Sequence, residues 1–389
     1  MYQVFRPYIT EDEINAVTEV MKSRWIGLGP KCAEFEDMFA KYTGAKHCVT
    51  FNSCTASLDV ALRLCGISQH DKVLVPTMTF ISTAHTVCYN NATPVFVDCD
   101  DQMQMDYEDM LSKIDNFVKA IIIVHYGGKI NTHIKEIAEL CKKRNIFLIE
   151  DCAHASGSFM FIEDSINKLN DSPIKLKHAG TFGDIGCFSF HAVKNLAMGD
   201  GGAFITNNSD WAERAKKLRW LGIDKDTWDR TSDNKEYWWE YQVNEIGYKN
   251  HLNDISAAIG IEQLKKLDKL NGKRNFLTSL YRIQLSGLVD EGFLTLPLPD
   301  SDFDINSCHL MWIRAKQRDD LSLFLKENDI NTGVHYRPIH TYKCYGNKPH
   351  LPQSELYFKE LLSLPMYVEL EEKDVIIICD KIKEFYATM

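Results

Sequence analysis

Apolar residues along this chain follow two rhythms. From about residue 46, short runs rich in β-branched and aromatic residues alternate with segments of helical period. The runs are 47–51 (HCVTF), 72–75 (KVLV), 94–98 (PVFVD), 120–126 (AIIIVHY) and 146–151 (IFLIED). They are apolar throughout rather than alternating, as strands covered on both faces are. Between them lie helical segments such as 55–64 and 132–143, the second with Ile134, Ile137, Ala138 and Cys141 on one face. This alternation predicts an α/β fold on a parallel sheet, in which ligands sit outside the carboxyl ends of the strands. Ahead of it, Thr10 and Glu13 form a capping-box signature, and Ile14, Val17 and Met21 share a face of the helix that follows.

Past residue 180 the rhythm changes. GTFGDIGCFSF and GGAFITNN read as glycine-punctuated strands, and 220–250 is an irregular stretch rich in Trp, Tyr and charge. A long helical segment starts at 252, and short strands and helices follow (HLMWIRA, LSLFLKEN, DVIIICDKIKEFY). The expected organisation is a large α/β domain over 1–250 and a smaller α+β domain over 251–389.

Composition narrows the function classes. The 389 residues are 45% hydrophobic and 25% charged, as in ordinary soluble globular chains. The net charge of −10 argues against a general nucleic-acid binder, which needs a basic surface. No apolar run approaches the roughly 20 residues of a membrane helix, and MYQVFRPYIT lacks the pattern of a secretory signal. The 12 cysteines include no C-x-x-C pair and read as reduced thiols, so a cytoplasmic location is expected. The 13 histidines include no H-E-x-x-H, and Pro338 separates His335 from His340, so no metal site is expected.

Three local patterns carry chemistry. In SFHAVKNLAMGDGG, Lys194 lies between an apolar strand and a glycine-rich turn. It can form a Schiff base with a carbonyl, and on spacing alone it also fits a surface site beside a hairpin. Asp151 ends the run IFLIED, where a carboxylate can pair with a pyridinium nitrogen or cap the next turn. Asn52-Ser53-Cys54-Thr55-Ala56 joins a strand to a helix, a place for phosphate or for an ordinary Ser/Thr cap. Together they make the parts list of a pyridoxal 5′-phosphate (PLP) enzyme.

These motifs resemble the DegT/DnrJ/EryC1/StrS aminotransferases, PLP-dependent sugar aminotransferases of the aspartate-aminotransferase fold (type I). The resemblance runs from WIGLGPKCAEFEDMFAKYTG through PTMTFISTAHTV, VDCDDQMQMD, VHYGGKI and EDCAHA to HYRPIH and LPMYVEL. It implies Lys194 as the Schiff-base lysine and Asp151 as the partner of the pyridine nitrogen. It implies Phe80 on the ring face, and Ser53, Cys54, Thr55 and Ser189 around the phosphate. Cys54 replaces the family's common Gly. His154 stands where Gln usually contacts the phenolic oxygen. Lys249, in GYK, would reach the phosphate of a second subunit, so a homodimer with shared sites is implied, while His251 stands where Arg or Asn is common. His335, Tyr336 and Arg337 would contact substrate or simply form a Pro-ended turn.

The GYK form, the Trp-rich insert (Trp228, Trp238, Trp239) and AAIG resemble the branch that aminates 4-keto-6-deoxyhexoses at C4 on a dTDP, UDP or GDP carrier. The implied products are of viosamine or perosamine type, with L-glutamate as donor and 2-oxoglutarate as product. A C3 aminotransferase is the near alternative. A non-catalytic PLP-binding regulator would have lost Lys194 or Asp151, and a sub-group that removes a hydroxyl carries His in place of the lysine. A nicotinamide enzyme would need G-x-G-x-x-G after the first strand, which is missing.

Overall fold

The computed structural model describes residues 1–162, 176–224, 241–299, 304–346 and 349–387; Trp228, Trp238 and Trp239 lie outside them. Helix α1 (Glu11–Ser23) has the capping box, with Thr10 and Glu13 bonded reciprocally. Helix α2 (Pro30–Thr43) follows the Gly-rich loop. Strand β1 (His47–Phe51), α3 (Cys54–Leu64), β2 (Lys72–Pro76), α4 (Ser82–Tyr89) and β3 (Thr93–Val97) come next. Then come α5 (Tyr107–Ser112), β4 (Val118–Val124), α6 (Ile134–Arg144) and β5 (Phe147–Asp151). Strands β6 (Phe159–Phe161) and β7 (Leu176–His178) pair with each other, and β8 (Ile185–Ser189), β9 (Gly202–Thr206) and α7 (Ser209–Leu218) complete this part.

Seven strands form one sheet in the order β1-β9-β8-β5-β4-β2-β3. The pairs β8-β5, β5-β4, β4-β2 and β2-β3 are parallel, as the apolar runs predict. Strand β9 is antiparallel to both neighbours, so the sheet is mixed. The reason lies in the connection. A parallel neighbour needs a crossover, usually a helix, whereas β8 returns directly through residues 190–201. Those residues carry Lys194.

The sheet is covered on both faces. Phe35 and Phe39 of α2, Ile134 and Ile137 of α6, and Leu264 and Leu267 further along share one core. Leu58 and Leu62 of α3 and Ala212 and Leu218 of α7 share the other. Helix α8 (Asp254–Asp290) is one 37-residue rod, about 55 Å long at 1.5 Å per residue. Its first half serves the first core. Leu277, Tyr281 and Leu285 of its second half enter a separate core with β11 (Met311–Ala315), β12 (Leu361–Leu364), α9 (Arg318–Glu327) and α11 (Glu372–Ala387). Short β10 (Leu294–Thr295) edges that second sheet, and α10 (Pro352–Glu360) precedes β12. Tyr2 also packs on this core, its N–H bonded to the Asp329 carbonyl and its carbonyl to the Asn331 N–H.

On α1 the apolar face read from sequence is not the buried one. Ile14 and Met21 are 51% and 55% exposed, and the buried side chains are Glu13 and Val20. Glu13 holds its place because the Lys266 ammonium lies 2.7 Å away and Gln263 and Thr10 donate to it. That tie to α8 turns Ile14 outward.

Candidate active site

The first wall of the site is the start of α3. Ser53 is its N-cap and accepts the Ala56 N–H at 3.1 Å. A helix N-terminus leaves N–H groups without intrahelical partners and carries partial positive charge, which suits a phosphate. Gly202 of β9 lies against it so closely that a Cβ would collide with the Ser53–Cys54 peptide. Cys54 is helical and outside the positive-φ set, so its departure from glycine costs no backbone strain here. The Thr55 hydroxyl meets Ser82 at 2.8 Å, and Ser189 closes the wall from the end of β8.

The second wall is the carboxyl end of β5. Asp151 is 5% exposed, and its oxygens accept Thr83 Oγ1 at 3.0 Å and the Ala153 N–H at 3.1 Å. Burial pushes its pKa up, and those two bonds with the Lys194 cation pull against it. Behind it sits a fully buried His125–Glu150 pair at 2.8 Å. His125 Nδ1 accepts the Asn131 N–H, so Nε2 carries the hydrogen donated to Glu150. Glu150 also accepts the N–H groups of Gly180 and Gly183. With Cys152 these groups lie within ligand distance of one another, but the bonds just named make the pair a brace for the loops behind Asp151.

Lys194 comes from the β8–β9 loop. The loop is drawn tight by Lys194 N–H to His191 O (2.8 Å) and Met198 N–H to Phe190 O (2.8 Å). Met198 lodges in a notch on α8 that exists because residue 260 is glycine; a Cβ there would overlap the Met198 side chain. Burial lowers the Lys194 pKa to about 8, with Asp151 raising it in part.

The third wall joins His154 to Tyr336. The Gly127 N–H donates to His154 Nδ1 at 3.3 Å, so the hydrogen is on Nε2, which donates to the Tyr336 hydroxyl at 3.0 Å. Burial, aided by the Lys194 charge, holds the His154 pKa well below the usual histidine value, so the ring is neutral. The Tyr126 hydroxyl donates to the His335 carbonyl, and His335 Nδ1 meets Ser363 Oγ at 2.9 Å.

These walls enclose one cavity of about 390 Å³. Ser53, Cys54, Thr55, Phe80, Asp151, His154, Ser189, Lys194, His335 and Tyr336 all line it. Two expected residues do not. Arg337 turns to Thr341 Oγ1 (2.9 Å) and lies over the Tyr342 ring. Lys249 is exposed, its ammonium 3.1 Å from the Trp220 ring centroid, and His251 stacks on the same Trp at 4.5 Å. The cavity also takes in His191 and Asp200, which the Lys194 motif contains but to which the sequence reading assigned no role. Thr83 was missed as well; it lies inside TFIST, with no local feature that marks it as a partner of Asp151.

The chemistry of the set fits PLP. There is an anion seat at α3, a buried carboxylate, an amine with depressed proton affinity, and an aromatic side chain (Phe80, 56% exposed) turned toward open space.

Comparison with known proteins identifies the family. The sequence profile of the DegT/DnrJ/EryC1/StrS aminotransferase family matches residues 7–383. The chain is 34% identical over 380 residues to the spore coat polysaccharide biosynthesis protein SpsC of Bacillus subtilis, covering 95% of this chain and 93% of that one. The aminotransferase TlmJ of Streptoalloteichus hindustanus superposes with a TM-score of 0.89 at 31% identity, over 100% of this chain and 99% of the other. PseC of Helicobacter pylori, an aminotransferase involved in the biosynthesis of pseudoaminic acid, gives 0.87 at 27% identity over the whole of both chains. The chain therefore belongs to the DegT/DnrJ/EryC1/StrS aminotransferase family and is a PLP-dependent transaminase of fold type I.

Proposed function

We propose that this enzyme moves the amino group of L-glutamate to C4 of a nucleotide-linked 4-keto-6-deoxyhexose. The products are 2-oxoglutarate and a 4-amino-4,6-dideoxy sugar nucleotide for glycan synthesis. The observation that carries the catalytic part is the meeting of Lys194, Asp151 and the start of α3 around one cavity. The sugar is supported by the names of relatives, one in spore coat polysaccharide and one in pseudoaminic acid biosynthesis. The preference for C4 is supported by GYK at 247–249 and AAIG at 257–260.

Bound PLP supplies an aldehyde that takes up the donor's amine and a ring that spreads the charge left when a Cα–H bond breaks. The chain's own residues do the rest. Lys194, with a pKa near 8, both gives and takes a proton close to neutral pH, as a general acid/base at Cα needs. Asp151, held in place by Thr83 and Ala153, would pair with the cofactor's ring nitrogen. Ser53, Cys54, Thr55 and Ser189 would hold the phosphate. The Nε2–H of His154, which meets the Tyr336 hydroxyl here, would be the donor available to the phenolic oxygen, and Phe80 would cover the ring. His335 and Tyr336 face the substrate side.

The working unit in this reading is a homodimer. Lys249 lies outside its own chain's cavity, as a residue serving a neighbour would. An apolar patch of Ile9, Ile14, Val17 and Ile259 adjoins Ala192, Ala197 and Gly199 of the Lys194 loop, where a second copy would cover it. A division into two domains, expected at 250/251, is supported by the separate second core, but the first half of α8 packs with the first core and residues 1–6 lean on the C-terminal part.

The test is incubation with glutamate and a panel of 4-keto and 3-keto nucleotide sugars, with NMR of the product. The expected outcome is an amine at C4. An amine at C3 overturns the position and leaves the transaminase intact.

A further inference from the structure

Asn195, next to Lys194, is 6% exposed, and its side-chain amide makes three hydrogen bonds. Nδ2 donates to Asn271 Oδ1 at 2.7 Å and to the Ser307 carbonyl at 2.6 Å. A backbone carbonyl only accepts, so it fixes which end of the amide is nitrogen. Oδ1 therefore faces His309 Nδ1, 3.0 Å away, and that ring nitrogen must carry the hydrogen.

His309 is 1% exposed and does not line the cavity. It stacks on Phe5 with centroids 5.2 Å apart and packs on His154 at 4.5 Å. Burial, then the charge of Lys194, keeps its pKa well below the ordinary value, so the ring is neutral. Its backbone N–H donates to the Gly127 carbonyl at 2.8 Å, and the Gly127 N–H fixes the His154 tautomer. One glycine residue thus helps to orient both histidines.

The partners of Asn195 come from distant elements. Asn271 lies midway along α8, its own Nδ2 bonded to the Ser156 carbonyl. Ser307 and His309 lie just before β11. The Lys194 loop is therefore clamped, one residue from the lysine, to elements that carry the second core. A group that must pass a proton to a defined carbon tolerates little displacement; about 1 Å costs roughly 100-fold in rate.

We propose that His309, through its Nδ1–H bond to Asn195, is a positioning residue for Lys194. This rests on Lys194 being the amine that binds the cofactor. Lys194→Ala checks that separately, through loss of the visible band of the cofactor-loaded protein.

The test compares His309→Ala, His309→Asn and His309→Gln in cofactor-loaded protein. Asn places an N–H donor near the position of Nδ1, whereas Gln reaches toward Nε2. The Ala and Gln variants should lose roughly 10- to 100-fold in kcat with KM for glutamate within about threefold. They should also shift the pH midpoint of the visible band by roughly half a unit or more. The Asn variant should keep kcat within about threefold of the parent, with the midpoint unmoved. Equal loss in Asn and Gln, or an unmoved midpoint in Ala, overturns the proposal. If the Ala variant does not fold, the Asn–Gln comparison decides alone.

Discussion

The surroundings of Lys194 and of Lys249 differ in kind. Around Lys194 the buried polar groups are satisfied within the chain: Asp151 by Thr83 and Ala153, His154 by Gly127 and Tyr336, Asn195 by three partners. Around Lys249 the surface is open. Ile246 is 84% exposed and Val243 54%, and among the described residues Trp220 Nε1 and His251 Nδ1 are buried with no hydrogen-bond partner. A buried polar group without a partner is costly, and exposed apolar clusters mark contact sites. The polar interior of the first region is completed by folding. The second has the character of half an interface, which agrees with the proposed dimer.

The strongest attack on this contrast is Lys194→Ala. Turnover, read as 2-oxoglutarate release, should fall roughly 10,000-fold or more, because the proton carrier and the cofactor's anchor go together. Retained turnover would remove Lys194 from the mechanism. Next comes Asp151→Asn, which keeps the shape and deletes the charge. The glutamate half-reaction should slow by roughly 100- to 1,000-fold while the urea midpoint stays close to the parent's.

Lys249→Ala sharpens the other side. Losing a charged phosphate contact should weaken cofactor binding by about 10-fold or more, measured by equilibrium titration. If Lys249 serves a neighbour, mixing this variant with Lys194→Ala should restore activity at limiting cofactor. Random pairing gives about half mixed dimers, each with one intact site. No gain over the separate variants would place Lys249 outside the partner's site.

The smallest effect expected is on acid stability. Burial lowers the His335 pKa to about 4, whereas the unfolded chain binds that proton near 6.5. Between those values the unfolded state holds more protons, so stability rises with pH and is lost on acidification through the window. His154 and His309 act in the same direction. Urea unfolding of cofactor-free protein should show this slope, and His335→Gln should flatten part of it.

Much of the site was legible in order along the chain. Ser53, Asp151, Ser189 and Lys194 each sit at the end of an apolar strand or just beyond it, and strand ends are where such sheets gather their ligands. His309, Asn271 and Thr83 were not legible. Each supports the site from a segment whose local pattern reads as ordinary helix, strand or loop. The outward turn of Ile14 was hidden for a related reason: periodicity marks an apolar face but not what covers it.

The sequence by itself determined the strand–helix rhythm, the capping box at Thr10, the long helix and the motif around Lys194, because these depend on neighbours within a few residues. The tertiary structure alone decided that β9 runs antiparallel, that Glu13 rather than Ile14 is buried, that Arg337 and Lys249 leave the cavity, and which nitrogen of His154 and His309 carries the proton. Those outcomes depend on contacts between residues far apart in the chain, such as Asn195 with His309 and Glu13 with Lys266.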